Sequence, residues 1–568
     1  MTIETPSNPL LARPSFTQLY MPKLVTVLRE GYGLAALRAD AMAGLTVAIV
    51  ALPLSMAIAI ASGTTPERGL FTAIVGGFLI SALGGSRFQV GGPAGAFIVL
   101  VAASVDRHGI DGVVLATAMA GLFLMAAGLL RLGTYIKFIP YPVTVGFTAG
   151  IAVIIFASQI KDLLGLTLDG KEPGPFVAKI EALARAIDTI NPAAVVLALA
   201  TIGVIAGARR LRPHWPGMLI AVAVASVATW ALGLPVETIG SRFGGIPSAL
   251  PAPQLPAFSL AKILAVLPDA AAFALLGAIE SLLSAVVADG MTGRRHRSNC
   301  ELVAQGVANI GASLFGGLPA TGTIARTATN VRAGARGPIA GMMHAAFLLL
   351  FILVAAPLAS FIPLAALAGV LAVVAWNMAE KHEVLTLLRS SRGDAVVLLA
   401  TFLLTVFRDL TEGIVVGVAL GAVLFIKRMA GTTGIETRAP VILADRADSA
   451  SPRTPYDSRQ ATDEAVVVYR LSGAFFFGTA SILNAVLDRI ADRHKALVID
   501  FSAVPFVDST AANVIAGIAR KAGRHEVRVY VTGATPAVRH ALLAAGARRP
   551  EVRYRRHIDD AVAEAHSV

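Results

Sequence analysis

Residues 43–427 consist almost entirely of apolar stretches with the length of membrane spans, separated by short polar loops. The mean hydropathy of the chain is +0.71, and only 15% of its 568 residues are charged. A water-soluble domain of this size carries more charge than that, whereas a helix of ~20 apolar residues crosses a bilayer. The pattern therefore predicts a polytopic α-helical membrane protein.

The apolar stretches can be counted as fourteen spans in two sets of seven. The first set is 43–62, 69–84, 91–105, 112–131, 140–159, 192–208 and 215–234. The second set is 267–288, 301–316, 321–331, 337–357, 361–378, 394–407 and 411–427. An odd number of spans inverts the second copy, so the count predicts two inverted repeats. Basic residues concentrate in the loops that this count places inside, which predicts a multi-pass protein of the cytoplasmic membrane with both termini in the cytoplasm.

Two segments rich in glycine and proline, 91–95 (GGPAG) and 318–323 (LPATGT), lie at corresponding places in the two halves. Each opens an apolar stretch that is too short to cross a bilayer. The N-termini of such half-helices direct unpaired N–H groups at the bilayer midplane, which favours an anion. Simple kinks in packed helices are the alternative interpretation. The predicted backbone donors belong to Ala94, Gly95, Ala96, Thr323, Ile324 and Ala325.

Arg326 and Glu280 are ionisable residues within apolar sequence. A buried guanidinium is costly in a bilayer, so Arg326 is predicted to bind the anion, with a structural ion pair or a snorkelling position as the alternative. Burial favours the neutral form of an isolated carboxylate, so Glu280 could carry a proton. It could instead hold Na⁺ together with Ser284, which lies one turn further along the same helix face. A static ion pair between Glu280 and Arg326 remains an alternative.

Composition and motifs exclude several classes of function. The net charge of +12 comes from basic residues in loops between spans, which membrane orientation explains without nucleic acid. The single cysteine, Cys300, excludes an intramolecular disulfide and an all-cysteine metal site. We find no nucleophile triad, P-loop or zinc pattern. The sequence therefore predicts no enzyme, no catalytic residue, and no metal or cofactor apart from a bound Na⁺.

We divide the chain into four parts. Residues 1–39 hold an amphipathic helix at the membrane surface, 40–430 the transmembrane domain, 431–462 a polar linker, and 463–568 a small α/β domain. In the last part, strands are predicted at 465–471, 496–501 and 527–531, and helices at 479–492, 509–522 and 535–546.

Eight further motifs follow one another along the membrane part: 43–47 (AGLTV), 51–53 (ALP), 84–93 (GGSRFQVGGP), 277–281 (GAIES), 288–293 (ADGMTG), 298–302 (SNCEL), 316–319 (GGLP) and 325–327 (ART). In this order they resemble the SulP sulfate-permease family, the bacterial relatives of pendrin and prestin. The C-terminal part is similar to the family's STAS domain through 475–478 (FFFG) and 506–511 (FVDSTA). The resemblance extends from about residue 38 to 550.

The resemblance implies fourteen spans arranged as core and gate domains, elevator-type alternating access, and a homodimer with cytoplasmic STAS domains. Leu54 and Ile58 match positions that often face the substrate, although many relatives carry Gln or Glu where Leu54 stands. Arg326 matches an arginine that adds positive potential to the anion site. Ser509 matches a serine phosphorylated in anti-sigma-factor antagonists, and it could instead cap the helix near residue 510.

The sequence therefore predicts a secondary active transporter of bicarbonate, sulfate or a dicarboxylate, coupled to H⁺ or Na⁺. Three alternatives stay open at this point. The first is an uncoupled anion channel or exchanger, the second a nucleobase permease of the same architecture, and the third a regulator that binds but does not transport.

Overall fold

The computed structural model describes residues 16–135, 139–170, 172–211, 215–408, 410–432, 466–472, 495–524 and 526–566. The predicted helix at 479–492 and nearly all of the predicted linker lie outside these residues. Nineteen helices are described up to residue 432: α1 Phe16–Tyr20, α2 Lys23–Arg29, α3 Leu34–Ala61, α4 Pro66–Phe71, α5 Gly77–Leu83, α6 Ile98–Leu129, α7 Tyr141–Leu164, α8 Phe176–Arg185, α9 Pro192–Leu211, α10 Gly217–Leu232, α11 Ile239–Phe243, α12 Leu260–Thr292, α13 Ser298–Leu314, α14 Ile324–Arg332, α15 Ile339–Ala359, α16 Leu364–Met378, α17 Lys381–Ser390, α18 Arg392–Phe407 and α19 Leu410–Thr432.

Each of the fourteen predicted apolar stretches overlaps at least one of these helices, and the stretch 69–84 overlaps both α4 and α5. Seven helical segments in the described residues are long and apolar enough to cross a membrane. They are Leu34–Ala61, Gly95–Leu129, Tyr141–Leu164, Pro192–Leu211, Leu260–Thr292, Ile339–Ala359 and Leu364–Ser390. Most of the predicted stretches 91–105 and 112–131 lies in the second of these, and Gly109, at φ +67°, breaks the helix between them.

The second predicted span is interrupted. Helices α4 and α5 are joined through a π-helical turn at Thr72–Gly76, a rare conformation that is frequent at functional sites. The hydroxyl of Thr72 accepts a hydrogen bond from the N–H of Leu318 (2.7 Å). The turn therefore helps to hold the segment that precedes the second half-helix.

The N-terminal surface segment forms two short helices, α1 and α2, where the sequence predicted one. Pro22 stands at the break, because proline lacks an N–H and disfavours a helical conformation in the preceding residue. Arg297 donates a hydrogen bond to the carbonyl of Met21 at this break (2.7 Å). Burial, together with the nearby charges of Arg297 and Arg87, lowers the pKa of Lys23.

The chain divides into two compact units. One comprises residues 1–136, 148–380 and 403–411, and the other 137–147, 381–402 and 412–568. Since the second unit includes parts of α7, α18 and α19 as well as the C-terminal α/β domain, the predicted domain boundaries stay a prediction.

The C-terminal α/β domain contains a four-stranded parallel sheet whose strands lie side by side in the order of the chain. Its strands are β3 Val466–Ser472, β4 Ala496–Ala503, β5 Arg528–Thr532 and β6 Val552–Arg555, and its described helices are α20 Ser509–Arg524, α21 Pro536–Ala544 and α22 Ile558–His566. The apolar residues at 496–499 and Phe501 of β4 are buried, as expected for a strand covered on both faces. The three predicted strands are present. Strand β6 was not predicted because its apolar residues alternate with arginine, and α22 was not predicted either.

Candidate functional site

The two glycine-rich segments meet as a short antiparallel pair. Strand β1 (Gly91–Gly92) pairs with β2 (Thr321–Gly322), with Gly91 opposite Gly322 and Gly92 opposite Thr321. Each strand runs directly into a helix, β1 into a 3₁₀ turn at Gly95–Phe97 and α6, and β2 into α14. The pairing places the starts of the two half-helices beside each other, although more than 220 residues separate them in the chain.

Side chains from neighbouring helices hold this pair in position. Asn309 of α13 accepts from the N–H of Ala320 (2.9 Å) and donates to the carbonyl of the same residue (2.8 Å). Thr321 donates to the carbonyl of Gly277 in α12 (3.1 Å). Hydrogen bonds from Ala320 and Thr321 to α13 and α12 therefore hold this segment in place, in addition to apolar packing.

The first turns of both half-helices present backbone N–H groups that have no acceptor among the described residues. Ala94 and Thr323 are the N-cap residues, both in extended conformation, and neither makes a side-chain cap bond. The N–H groups of Gly95, Ala96, Ile324 and Ala325 follow them and are unpaired within the described part of the chain. Because each helix N-terminus also carries roughly half a positive charge, the two starts favour an anion between them.

Thr323 differs from the other predicted donors. Its N–H donates to the carbonyl of Val90 (3.1 Å), and its hydroxyl approaches the same oxygen (3.4 Å). Both groups are therefore already used to join β2 to the residue before β1. The hydroxyl neither caps α14 nor is free for a ligand in this conformation.

Arg326 lies one turn into α14 and is 1% exposed. Its Nη2 donates to the hydroxyl of Ser55 in α3 (3.0 Å) and to the carbonyl of Pro93 (3.2 Å), and its Nη1 approaches the carbonyl of Gly91 (3.4 Å). Its Nε has no partner within the described residues. The guanidinium is thus held by neutral oxygens that fix its direction without cancelling its charge.

Glu280 and Ser284 lie one turn apart on α12. The Oε2 atom of Glu280 is buried and unpartnered in the described structure, and no ion pair within 4 Å joins Glu280 to Arg326 there. Ser284 donates to the hydroxyl of Thr327 (3.0 Å), which accepts from the N–H of Val90 (3.2 Å). The geometry therefore contains no static Glu280–Arg326 pair, and it assigns the Ser284 hydroxyl to a link between α12 and α14.

Leu54 and Ile58 of α3 are 6% and 3% exposed, and Ser55 lies between them in the chain. On another side of the site, a Cβ atom added at Gly95 would lie 3.1 Å from Cδ1 of Ile155 and 3.6 Å from Sδ of Met378. Helices α7 and α16 therefore approach the first half-helix closely.

Sequence reasoning missed Ser55, the acceptor that orients Arg326. A signal was present, because Ser55 is the one polar residue in the stretch 51–61. It also missed the hydroxyl of Thr327, which joins Val90 to Ser284. That contact connects residues 237 positions apart and leaves no local pattern.

Ser509, the predicted regulatory residue, is the first residue of α20 and is 9% exposed. The carboxylate of Asp508 accepts from the N–H of Ala511 (2.8 Å), so Asp508 caps this helix. A cavity of about 320 Å³ adjoins Ser509 and is also lined by Ser390 of α17 and His540 of α21. The described residues hold no group of three His, Cys, Asp or Glu side chains that could bind a metal ion.

Comparison with known proteins agrees with this architecture. The sulfate permease family matches residues 37–401, and the STAS domain matches residues 459–565. YvdB of Bacillus subtilis (strain 168) is 41% identical over 508 residues, which cover 89% of this chain and 93% of that protein. The bicarbonate transporter BicA of Synechocystis sp. is 33% identical over 518 residues, covering 88% of each chain.

Solved structures give the same result. The transmembrane domain of a cyanobacterial BicA superimposes with a TM-score of 0.61 at 34% identity and covers 67% of this chain and 98% of that chain. The anion transporter Slc26a9 of mouse, in its inward-facing state, superimposes with a TM-score of 0.67 at 18% identity over 99% of this chain and 97% of that one, which supports the fold. The predicted helical membrane fold with a C-terminal STAS domain is confirmed, as is a transporter rather than an enzyme. This multi-pass membrane protein belongs to the sulfate permease family.

Proposed function

We propose that this protein is a secondary active transporter of a small inorganic oxyanion, sulfate or bicarbonate, which binds between the two half-helix starts. The observation that carries the proposal is the unbalanced positive potential at this point. Arg326 is buried against neutral oxygens only, and the N–H groups of Gly95, Ala96, Ile324 and Ala325 are unpaired in the described structure. An oxyanion supplies both the negative charge and the acceptors that this arrangement lacks.

Relatives support this choice of substrate. BicA is a bicarbonate transporter by name, and the sodium-independent sulfate anion transporter of Bos taurus is 30% identical over 434 residues, covering 70% of each chain. We propose that Leu54, a buried apolar side chain beside Ser55 in the chain, makes the site less polar than a glutamine or glutamate would, which favours a small anion over a dicarboxylate.

We further propose that Glu280 is the coupling residue, either as a carboxylate that holds Na⁺ or as a group that carries a proton. Its buried, unpartnered Oε2 atom supports this role. Burying a carboxyl oxygen without a partner in a membrane interior costs free energy, and binding of Na⁺ or a proton would offset that cost. Ser284 belongs to this proposal only if its bond to Thr327 opens.

The proposed transport cycle is elevator-type alternating access across the cytoplasmic membrane, carried out by a homodimer with both termini in the cytoplasm. Helix α12 packs on both half-helices, α6 and α14, and α14 also packs on α3, so both half-helices belong to one packed bundle. We propose that this bundle moves past α7 and α16, whose residues Ile155 and Met378 lie next to Gly95.

Tracer uptake into proteoliposomes tests the proposal, with labelled sulfate and labelled bicarbonate offered under inward Na⁺ or H⁺ gradients. We expect wild-type uptake of one of these anions, lowered at least about tenfold in Arg326→Ala because the charge that attracts the anion is lost. Arg332→Ala removes an exposed arginine from the last turn of the same helix and serves as the matched control.

Glu280→Gln should retain anion binding and lose the response to the driving gradient. Uptake of anions without any response to either gradient in wild type would instead indicate a channel or an exchanger. Absence of uptake by folded wild-type protein would contradict the proposed substrates.

A further inference from the structure

His344 in α15 is a fully buried histidine with neither ring nitrogen bonded to any described residue. Buried polar atoms are nearly always hydrogen-bonded, and each exception in a native structure calls for an explanation. A leucine would fill similar space at no such cost. The position therefore indicates a use for the imidazole other than packing.

Glycines on two neighbouring helices make room for this residue. A Cβ atom added at Gly44 of α3 would lie 3.0 Å from the backbone nitrogen of His344, and one added at Gly77 of α5 would lie 3.9 Å from its Cε1 atom. The Cβ position built at Gly77 also lies 2.8 Å from the carbonyl oxygen of Gly91. The imidazole therefore lies close to β1, on which the anion site is built.

Arg326 connects His344 to the anion site. Its Nη1 approaches the carbonyl of Gly91 (3.4 Å), and its charge acts on His344 electrostatically. Among the described elements packed on α15, the π turn and α5 contain no charged side chain. Helix α3 contains Arg38 and Asp40, both within its first two turns. The carboxylate of Asp40 accepts from the N–H groups of Arg336 and Gly337, about two turns before His344.

The charge of Arg326 therefore decides when His344 can hold a proton. With the site empty, the guanidinium disfavours a second positive charge beside it. When an oxyanion binds at the half-helix starts, its charge offsets that of Arg326, and the opposition to a proton on His344 falls. Linkage is reciprocal, so a proton on His344 must strengthen anion binding by the same factor.

We propose that His344 is a proton-binding residue of the transport cycle, which takes a proton from water onto a free ring nitrogen when the anion binds and releases it when the anion leaves. This inference rests on the proposed function and deepens it. Glu280 of α12 then remains available for Na⁺.

The test compares wild type with His344→Gln, which keeps a polar side chain but cannot titrate in this range. Initial uptake of labelled sulfate, or of labelled bicarbonate at fixed free concentration, is measured at several pH values with and without an inward proton gradient. We expect wild-type uptake to rise at least about fivefold from pH 8 to pH 6, and that of His344→Gln to change less than about twofold. Uptake by His344→Gln driven by the anion gradient alone should persist.

Ser81→Ala is the matched control. Ser81 is a buried polar residue of α5 that faces Gly341, one turn before His344, and it carries no titratable group. It should retain the wild-type pH profile. Glu280→Gln distinguishes the two proton sites, because loss of the pH response in that variant would assign the proton to Glu280 rather than to His344.

Calorimetry of anion binding to the detergent-solubilised wild type, in buffers of different ionisation enthalpy, gives a second measurement that needs no variant. We expect net proton uptake on binding. The inference is overturned if wild type binds the anion without taking up protons, if His344→Gln keeps the wild-type pH response, or if Glu280→Gln alone abolishes that response. If wild type takes up neither anion, the failure lies in the proposed function, and the inference falls with it.

Discussion

The half-helix site, which β1, β2 and the starts of α6 and α14 form, differs from the C-terminal α/β domain in whether its charged side chains are paired. In the domain, Glu564 of α22 accepts hydrogen bonds from Arg553 (2.6 Å) and from Arg555, so a carboxylate is matched by guanidinium groups on β6. In the half-helix site, Arg326 bonds only to neutral oxygens, and Glu280 keeps an unpartnered carboxyl oxygen in the described structure.

The charged side chains of the two regions also differ in how far they are exposed to water. The side chain of Arg553 is 40% exposed, so water already screens its pair, whereas Arg326 is 1% exposed. A paired charge at a surface contributes little beyond fastening two elements. An unbalanced charge within the membrane region is costly and persists because something else compensates it. In this protein we assign that role to the transported anion.

The largest expected effect is that of Gly92→Ala, which would break the contrast by displacing the buried charge. An added Cβ atom would lie 2.0 Å from Nη1 of Arg326, so the guanidinium must move. Misplacing such a group by about 1 Å can cost roughly a hundredfold in rate. We expect anion uptake in proteoliposomes to fall by about that factor.

Gly203→Ala in α9 is the control for this change, because no atom lies within 4 Å of its added Cβ. Uptake by Gly92→Ala at the wild-type rate would show that the guanidinium position is not critical.

A smaller effect is expected for Ser55→Ala, which removes the hydroxyl that accepts from Nη2 of Arg326. Hydrogen bonds to charged groups are worth about 1.5–3 kcal/mol, so the apparent anion affinity should weaken about tenfold or more. The measurement is the concentration dependence of uptake. Ser62→Ala is matched to it, since Ser62 is a buried serine at the end of the same helix whose hydroxyl donates to the carbonyl of Ile58. Equal behaviour of the two variants would contradict the role of Ser55.

Thr327→Val should lower the stability of the fold more than it lowers transport. The variant removes neutral polar contacts of the site and leaves the charge of Arg326 in place. The change leaves the buried N–H of Val90 without its acceptor and removes the partner of Ser284. We expect a loss of about 1–3 kcal/mol in the free energy of unfolding, seen as a lower thermal midpoint in detergent. Thr329→Val, whose hydroxyl bonds to the carbonyl of Ala325 on the exposed face of α14, should change the midpoint less. A reversed order would exclude this account.

The smallest effect belongs to the α/β domain. Burial alone would raise the pKa of Glu564, but the hydrogen bonds from Arg553 and Arg555 hold that pKa below its ordinary value. A carboxyl group whose pKa is lower in the folded state than its value of about 4.3 in the unfolded state stabilises the folded state above that value. This stabilisation is lost as the pH falls further, through the pKa of the folded state. Glu564→Gln should therefore speed hydrogen exchange in β6 and α22 slightly at pH 7, by an amount that shrinks towards pH 4.

The exposed carboxylate of Glu551 has no ion pair within the described residues, so Glu551→Gln is the control for this measurement. An effect of Glu564→Gln that grew on acidification would contradict a lowered pKa of Glu564 in the folded domain.

Most of the membrane architecture could be predicted from the sequence, because hydropathy is a local property of each span. The fourteen apolar stretches, the two interrupted segments and the buried Arg326 all follow from residues that are neighbours in the chain. Pro22 also carried a local signal, and reading it would have separated α1 from α2.

The contacts that orient the site could not be predicted in the same way, since they join distant positions. Ser55 and Arg326 are 271 residues apart, and only folding shows that one accepts from the other. The occupied N–H of Thr323 depends likewise on Val90, 233 residues earlier. His344 carried no signal, because a lone histidine in an apolar span looks the same whether or not its nitrogens find partners.

The antiparallel pairing of β1 with β2 has a consequence for the direction of transport. Two strands paired in this way are related by an approximate twofold axis, so the two half-helices begin at equivalent positions of one pair. Under the proposed function, the two halves then contribute similar helix starts to one site, and the pair itself favours neither import nor export. Net flux is then set by the concentrations and potentials on the two sides, and the same molecule can fill or empty a cell.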